Sequence, residues 1–353
     1  VKISLALLVA LLWLSAACAE DHAVVLMYHH VSEDTPASTS VTPAIFERHL
    51  EYLEDHGFTV MPLSSILEAV VARRPLPPNA VAITFDDAYR SVYTEAFPRL
   101  EKRGWPFTIF VNTMAVDRGY SSSLDWEQIR ELARAGAEIG NHSHTHDHLV
   151  RLRDGESTDE WRHRVTRDIE SAALRIEAET GTGSKLFAYP YGEYSAELED
   201  ILRKLGYYGI AQQSGAVGYL TDLLAVPRFP LAHGYDDMQR FATSVNARPL
   251  PVRELVATSS NRRLDEIERL RMILDSGDFR SGQLACYSAA GKALPISVDE
   301  GEEIKIVVDV DGTGRPGRNK VNCTAPATGE PGTYFWYSYQ WLQRNPDGSW
   351  YKG

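Results

Sequence analysis

Two short stretches carry residue types and spacings able to do chemistry: Thr84-Phe85-Asp86-Asp87 and Asn141-His142-Ser143-His144-Thr145-His146. The first closes an apolar run, Ala80 to Phe85, that reads as a buried strand and delivers two adjacent carboxylates at its C-terminal end. Reacting groups collect at that end of the strands in open α/β sheets and barrels. The second stretch follows the short apolar run Ala137 to Ile139 and sets His142 and His146 four residues apart. On a helical turn that spacing places both imidazoles on one face. Two neutral imidazoles and one carboxylate make a three-donor set for Zn²⁺ or a similar divalent ion, with a position left open for water. The second aspartate is then free to act as a base. Together they predict the core of a metal hydrolase.

The elements that must position these groups alternate. Ala23 to Tyr28 is a continuous apolar run, hence a buried strand, and it ends in His29-His30. Thr42-Pro43 opens a helix to His56, and Phe58 to Met61 reads as a strand. Helices are expected over Ser64–Ala72, Tyr93–Arg103, Asp125–Ala135, Thr158–Thr180 and Ala196–Leu205, with strands over Phe107–Asn112, Leu186–Tyr189 and Tyr208–Ala211. This order implies parallel strands with helices outside, an α/β fold of distorted (β/α)-barrel type. The alternation stops near Pro251. Glu254 to Ser276 then reads as a linker helix, from the spacing of Leu255, Leu264, Ile267, Leu270 and Ile273. Short alternating strands around Cys286, Ile304–Val310 and Tyr334–Leu342 predict a small all-β, sandwich-like domain. The expected division is 1–19, 20–252, 253–276 and 277–353.

Length and charge bound the rest. With 353 residues and 44% hydrophobic content, one large core plus a small one is the natural arrangement. A net charge of −12 argues against nucleic acid or an anionic membrane as partner. Residues 1–19 read as a secretory signal: Lys2, an apolar run from Leu5 to Leu14, then Ala17-Cys18-Ala19 as the cleavage site. That run is too short to span a bilayer comfortably, so no transmembrane helix is expected in the mature chain. Ser15-Ala16-Ala17-Cys18 is also a poor lipoprotein box, so a lipid anchor at Cys18 is the alternative. The chain is therefore expected to be exported, periplasmic or extracellular. Cys286 and Cys323 are left in an oxidising compartment, where a disulfide between them is expected, with two separate buried thiols as the alternative.

The motifs resemble those of the NodB-type polysaccharide deacetylases, metal-dependent carbohydrate esterases. By that resemblance Asp86 is the general base, and Asp87, His142 and His146 hold one divalent ion, Zn²⁺ with Co²⁺ or Ni²⁺ as substitutes. Tyr189-Pro190-Tyr191-Gly192 is similar to the third motif, so Pro190 and Tyr191 line the substrate groove and the Tyr191 N–H faces the oxyanion. Asp125-Trp126 matches a supporting motif, with Trp126 in the groove. Leu26-Met27-Tyr28-His29 resembles the motif that carries the general acid, His29, and that ordinarily comes last. Its early position is similar to the circularly permuted branch that de-N-acetylates poly-β-1,6-N-acetylglucosamine, so the expected partner is an N-acetylated glycan and the product acetate. Two positions depart from the pattern. Ala88 replaces a usual glycine, and Ala188 stands where an arginine normally braces the catalytic aspartate; Arg228 is the candidate partner for Asp125 instead.

Other readings compete. His233, in Leu231-Ala232-His233, is the acid if the motif order is unpermuted. His30 should face away from His29, because neighbours on a strand alternate. His144 and His148 read as solvated or supporting residues. The stripe Thr333 to Trp341 is either a sugar-stacking platform or core, with Phe335, Tyr337, Tyr339 and Trp341 inward and Tyr334 and Trp336 outward. The competing functions are an O-acetyl esterase on xylan or another glycan, and a carbohydrate-binding protein that has lost turnover.

Overall fold

The strand that delivers the two aspartates pairs directly with the strand that delivers His29. In this computed structural model, which describes residues 20–259, 266–310, 312 and 314–352, β1 (His22–Tyr28) and β2 (Ala80–Phe85) run parallel with Tyr28 opposite Phe85. The residues that follow, His29 and Asp86, therefore leave adjacent strand ends side by side. The leader reading and Cys18 lie outside the described residues. The parallel sheet continues through β3 (Thr108–Val111), β4 (Glu138–Asn141), β5 (Leu186–Ala188) and β6 (Tyr208–Ile210). Each is a short, almost wholly buried run, as expected of strands covered on both faces.

An irregular segment closes the curl. Val226 bridges β6 at Ile210, and three residues later Phe229 pairs with Leu26 of β1. Between them sits Arg228, at the seam. Alternation along β1 sorts the core: Val24, Leu26 and Tyr28 pack outward with Phe46, Leu50 and Leu53, whereas Ala23 and Val25 join Ala82 and Phe110. Phe110 has room because β4 carries Gly140, where an added Cβ would lie 2.5 Å from its ring. Helices Pro43–Asp55, Leu63–Val71, Phe97–Arg103, Trp126–Arg134, Thr158–Thr180 and Ala196–Leu205 cross between the strands. Their ends follow side-chain caps at Thr42, Asp125, Ser157 and Ser195 and left-handed glycines at 104, 181 and 206.

The expected linker helix over Glu254–Ser276 is not formed. Val252–Thr258 (β7) and Arg269–Leu274 (β8) are antiparallel strands; Leu264 lies outside the described residues. The apolar spacing that reads as helical also contains a period of two, Leu270, Met272 and Leu274. All three are buried on one side of β8, and cross-strand packing selects the extended form. With β10 (Ile296–Glu300) and β11 (Ile304–Asp309), these strands build one four-stranded sheet. A second contains Arg248–Pro249, β9 (Ala285–Ser288), β12 (Gly317–Pro326) and β13 (Tyr334–Gln343). The two sheets share a core of Leu270, Met272, Ile306, Val308, Val321 and Phe335. Cys286 of β9 and Cys323 of β12 are register partners and are disulfide-bonded, with an S–S distance of 2.02 Å.

The aromatic stripe is mostly packing. Phe335 and Trp341 are buried in the β core, and Tyr337 and Tyr339 lie against it. Trp336 does not point to solvent as expected; its ring meets Phe229 edge-on, 5.3 Å between centroids, and so ties the β domain to the barrel. No helix among the described residues is long and apolar enough to cross a membrane.

Candidate active site

Asp86 and Arg228 form the driest part of the site, each with 0% side-chain exposure. Arg228 grips the carboxylate with both terminal nitrogens, Nη1 to Oδ1 at 2.7 Å and Nη2 to Oδ2 at 2.8 Å. Its remaining donors reach Ala211 O at 2.9 Å and Thr84 Oγ1 at 3.1 Å. Burial pushes the Asp86 carboxyl up, but the guanidinium, with His142 and His29, outweighs this and holds it below the usual carboxylate range. The Asp86 carboxylate is thus kept ionised and fixed in plane.

This corrects the expected Asp125–Arg228 pairing. Asp125 is exposed and caps Trp126–Arg134, its Oδ1 accepting from Gln128 N at 2.9 Å while Gln128 bonds back to Asp125 N. Arg228, from the seam, pairs with Asp86 instead. Trp126 donates to Asp117 at 2.8 Å and stacks under Arg175, so its contacts lie with those residues rather than the Asp86 cluster.

Asp87, His142 and His146 bring one ligand atom each within 4.8 Å of one another. Asp87 Oδ1 lies 3.3 Å from His142 Nε2 and 3.1 Å from His146 Nε2. His142 donates Nδ1–H to Ala188 O at 2.8 Å, so Nε2 is the atom it turns toward Asp87 and His146. Burial raises the Asp87 carboxyl, and the two imidazoles overcome this and hold it well below the ordinary value. Two imidazole nitrogens and one carboxylate, with a bonded outer partner, fit a divalent ion of the Zn²⁺ type.

The histidines do not converge through a helical turn. Residues 142–146 form an irregular turn with Ser143 at φ +66° and His146 at φ +56°. Asn141 Oδ1 caps Ser143 N at 2.8 Å, Ser143 Oγ accepts from His146 N at 2.9 Å, and Asp168 holds the His144 and Thr145 amides. Left-handed backbone at non-glycine residues is strained. Five of the seven such residues among those described are Asp87, Ala88, Ser143, His146 and Tyr191, so the strain marks the site. Ala88, where glycine is usual, sits at φ +51°.

His29 is half-buried; burial outweighs the pull of the Asp86 and Asp87 charges and holds its imidazole below the usual value. His30 is buried and stacked on Tyr89 at 3.6 Å, with burial lowering its pKa to about 4. His233 is exposed, its N–H bonded to Ala37 O and Ser40 O. His144 meets Thr113 Oγ1 at 2.8 Å. Tyr191 is 44% exposed at φ +58°, its ring stacked on His148 at 3.9 Å and edge-on to His146 at 4.7 Å. Sequence reasoning missed Tyr89, which stacks on His30 and whose hydroxyl pKa is held above the usual value by burial and the Asp87 charge, and Asp168, one acid among many on a charged helix. Tyr89 lies two residues beyond Asp87, and that proximity was its only signal.

A curled parallel sheet with such a donor set at the C-terminal ends of its strands is suited to metal-assisted hydrolysis. The polysaccharide deacetylase family model matches residues 73–210, a span that holds Asp86, Asp87, His142, His146 and Tyr191 but begins after His29. The chain is 30% identical over 212 residues to YxkH of Bacillus subtilis (strain 168), whose name assigns it to the polysaccharide deacetylases, covering 60% of this chain and 71% of that protein. It is 26% identical over 259 residues to the poly-β-1,6-N-acetyl-D-glucosamine N-deacetylase of Escherichia coli (strain K12), covering 63% of this chain but only 38% of that relative. The solved structure of IcaB from Ammonifex degensii is similar at TM-score 0.56 and 27% identity, over 64% of this chain and 98% of that one. The chain belongs to the polysaccharide deacetylase family.

Proposed function

We propose that this chain hydrolyses the N-acetyl amide of a β-1,6-linked N-acetylglucosamine polymer and releases acetate. One observation carries the reading: an ionised, Arg228-clamped Asp86 stands beside a convergent Asp87–His142–His146 donor set. A binding protein has no need of the former. The linkage is supported by the names of relatives from Escherichia coli and Staphylococcus aureus. Export is supported by the leader-like segment 1–19 and by the Cys286–Cys323 disulfide, a bond of oxidising compartments.

Asp87, His142 and His146 would hold one divalent ion, Zn²⁺ with Co²⁺ or Ni²⁺ as substitutes. When bound, the ion supplies Lewis acidity to the acyl oxygen and lowers the pKa of water from 15.7 toward about 7. Asp86 accepts the proton of the attacking water, and Arg228 keeps its carboxylate charged and aligned for that transfer. The Tyr191 N–H faces the developing oxyanion; one such donor is worth about 10²–10³ in rate. His29 delivers a proton to the nitrogen as the C–N bond breaks, because an amine is a poor leaving group unprotonated.

Acetate release from N-acetylated and O-acetylated glycans tests this, with chelated protein, metal-reloaded protein and Asp86→Asn in parallel. The expected result is release from the N-acetylglucosamine polymer that returns with Zn²⁺ or Co²⁺ and is lost in Asp86→Asn. Release only from O-acetylated glycans would reassign the chain as an esterase. No release from any glycan by the loaded protein would leave a binding protein.

A further inference from the structure

The turn that carries the oxyanion donor is gripped from outside the barrel. Arg318, on β12, donates Nη1–H to Tyr191 O at 2.5 Å, and Gln340, on β13, donates to Gly192 O at 2.6 Å. The same Arg318 nitrogen reaches Gln212 Oε1 at 2.8 Å. Both of these acceptors are neutral, so a cation whose pKa burial lowers is set on the dipoles of this turn and of Gln212 beside it. Gly192 shows how close the fit is. At φ +63°, a Cβ there would lie 2.2 Å from Arg318 Nη1 and 2.7 Å from Gln212 Cβ. On the other side, the Tyr191 ring rests on His148, which Glu193 holds at 2.9 Å, and Tyr351 OH donates to Glu193 at 2.5 Å.

We propose that Arg318 is a positioning residue of the deacetylase centre: it holds the left-handed Tyr191–Gly192 turn so that the Tyr191 N–H meets the acyl oxygen. This rests on the function proposed above. Arg318 and Gln340 fix the two peptides that follow Tyr191 N–H, and Glu193 N–H holds Pro190 O, the carbonyl of that N–H's own peptide, at 3.1 Å, so the turn as a whole keeps one shape. The centre is then completed in cis by a domain that lies outside the family-matched residues 73–210. A misplacement of about 1 Å at a reacting group can cost 10²-fold in rate.

The test compares metal-loaded, full-chain wild type, Arg318→Met, Arg318→Lys and the neighbouring control Lys320→Met on the glycan that wild type deacetylates. Arg318→Met is expected to lower kcat by about 10–100-fold with KM and metal content within about threefold. Arg318→Lys, keeping one donor to Tyr191 O, recovers part of that loss, and Lys320→Met keeps wild-type kcat. A wild-type kcat in Arg318→Met, or an equal loss in Lys320→Met, would overturn the proposal. Amide exchange over residues 189–194 gives a second readout that needs no substrate. Arg318→Met should exchange there at least about tenfold faster, and unchanged protection rejects the positioning role. If wild type releases no acetate, the proposed function fails, and exchange alone decides whether Arg318 orders the turn.

Discussion

Two arginines reach the site from distant parts of the chain and do different physical work. Arg228 comes from the barrel's closing seam and meets a carboxylate in a place with no solvent. Arg318 comes from the β domain and meets a backbone carbonyl and an amide oxygen in a half-buried place. An ion pair out of water sets a charge state as well as a position, because each partner stabilises the ionised form of the other. A cation on dipoles sets a position only. On the proposal above, the charge of the site is held by the barrel and its shape by the strands that follow it.

The sharpest way to break this contrast is at Arg228. Arg228→Met strands a buried charge, and breaking such a pair costs about 3–5 kcal/mol by chemical denaturation. The sign with pH follows from the depressed Asp86 pKa. Stability from the pair is present above the unfolded carboxylate pKa and lost as pH falls through the lower native value, so the variant loses its deficit only in acid. Its pH–rate profile should also move, with the acidic limb displaced upward as Asp86 becomes harder to ionise. An unmoved limb would mean that Arg228 does not set the charge of Asp86.

A second, smaller effect lies in the β domain. Removing the Cys286–Cys323 bond, which spans 37 residues, should cost about 2–4 kcal/mol. If that domain holds the Tyr191 turn, kcat falls at temperatures where its strands loosen while the metal stays bound. Calorimetry with parallel turnover and metal analysis distinguishes this from general unfolding.

The interface offers a gentler probe. Lys320 donates to Gln212 O at 3.1 Å, and burial, with Arg318 nearby, lowers its pKa to about 7. Below that pH the native state carries the full cost of a buried ammonium, which is relieved as pH rises from about 7 toward the unfolded value of 10.5. Lys320→Met should therefore raise the melting temperature most below pH 7, with the gain shrinking toward pH 10. A gain independent of pH would show that desolvation of the charge is not the cause.

The least effect is expected at Asp125. Asp125→Ala removes an N-cap worth about 1 kcal/mol and leaves kcat unchanged. Combined with Arg228→Met, it should show additive stability losses, since the two side chains share no contact. Coupling above about 0.5 kcal/mol would restore the pairing that the structure replaces.

Much of the barrel is legible residue by residue, because its signals are local. Thr158–Thr180 begins at a Ser157 capping box and stops at a left-handed Gly181, and the expected span matches the observed one. The apolar runs before Asp86 and His29 are strands because both faces are covered. Legibility fails where one pattern has two solutions. Leu270 and Ile273 fit a helix stripe while Leu270, Met272 and Leu274 fit a strand, and the neighbouring strands β7 and β11 decide between them. Trp336 likewise belongs to an alternation that says which residues share a face, and it cannot say that Phe229 waits on the other.

By itself, the sequence determined which groups could react: paired carboxylates at a strand end, two histidines four apart, and a histidine ending the first strand. Residue type and short spacing suffice for that, since ligand chemistry and strand polarity are properties of a few neighbouring residues. The tertiary structure alone decided what holds them. Arg228 is 142 residues from Asp86 along the chain, and Arg318 is 127 from Tyr191. Contacts at such separation are set by how the sheet curls and where the second domain docks. No local pattern encodes either, because the free energy that selects them is spread over the packing of the whole core.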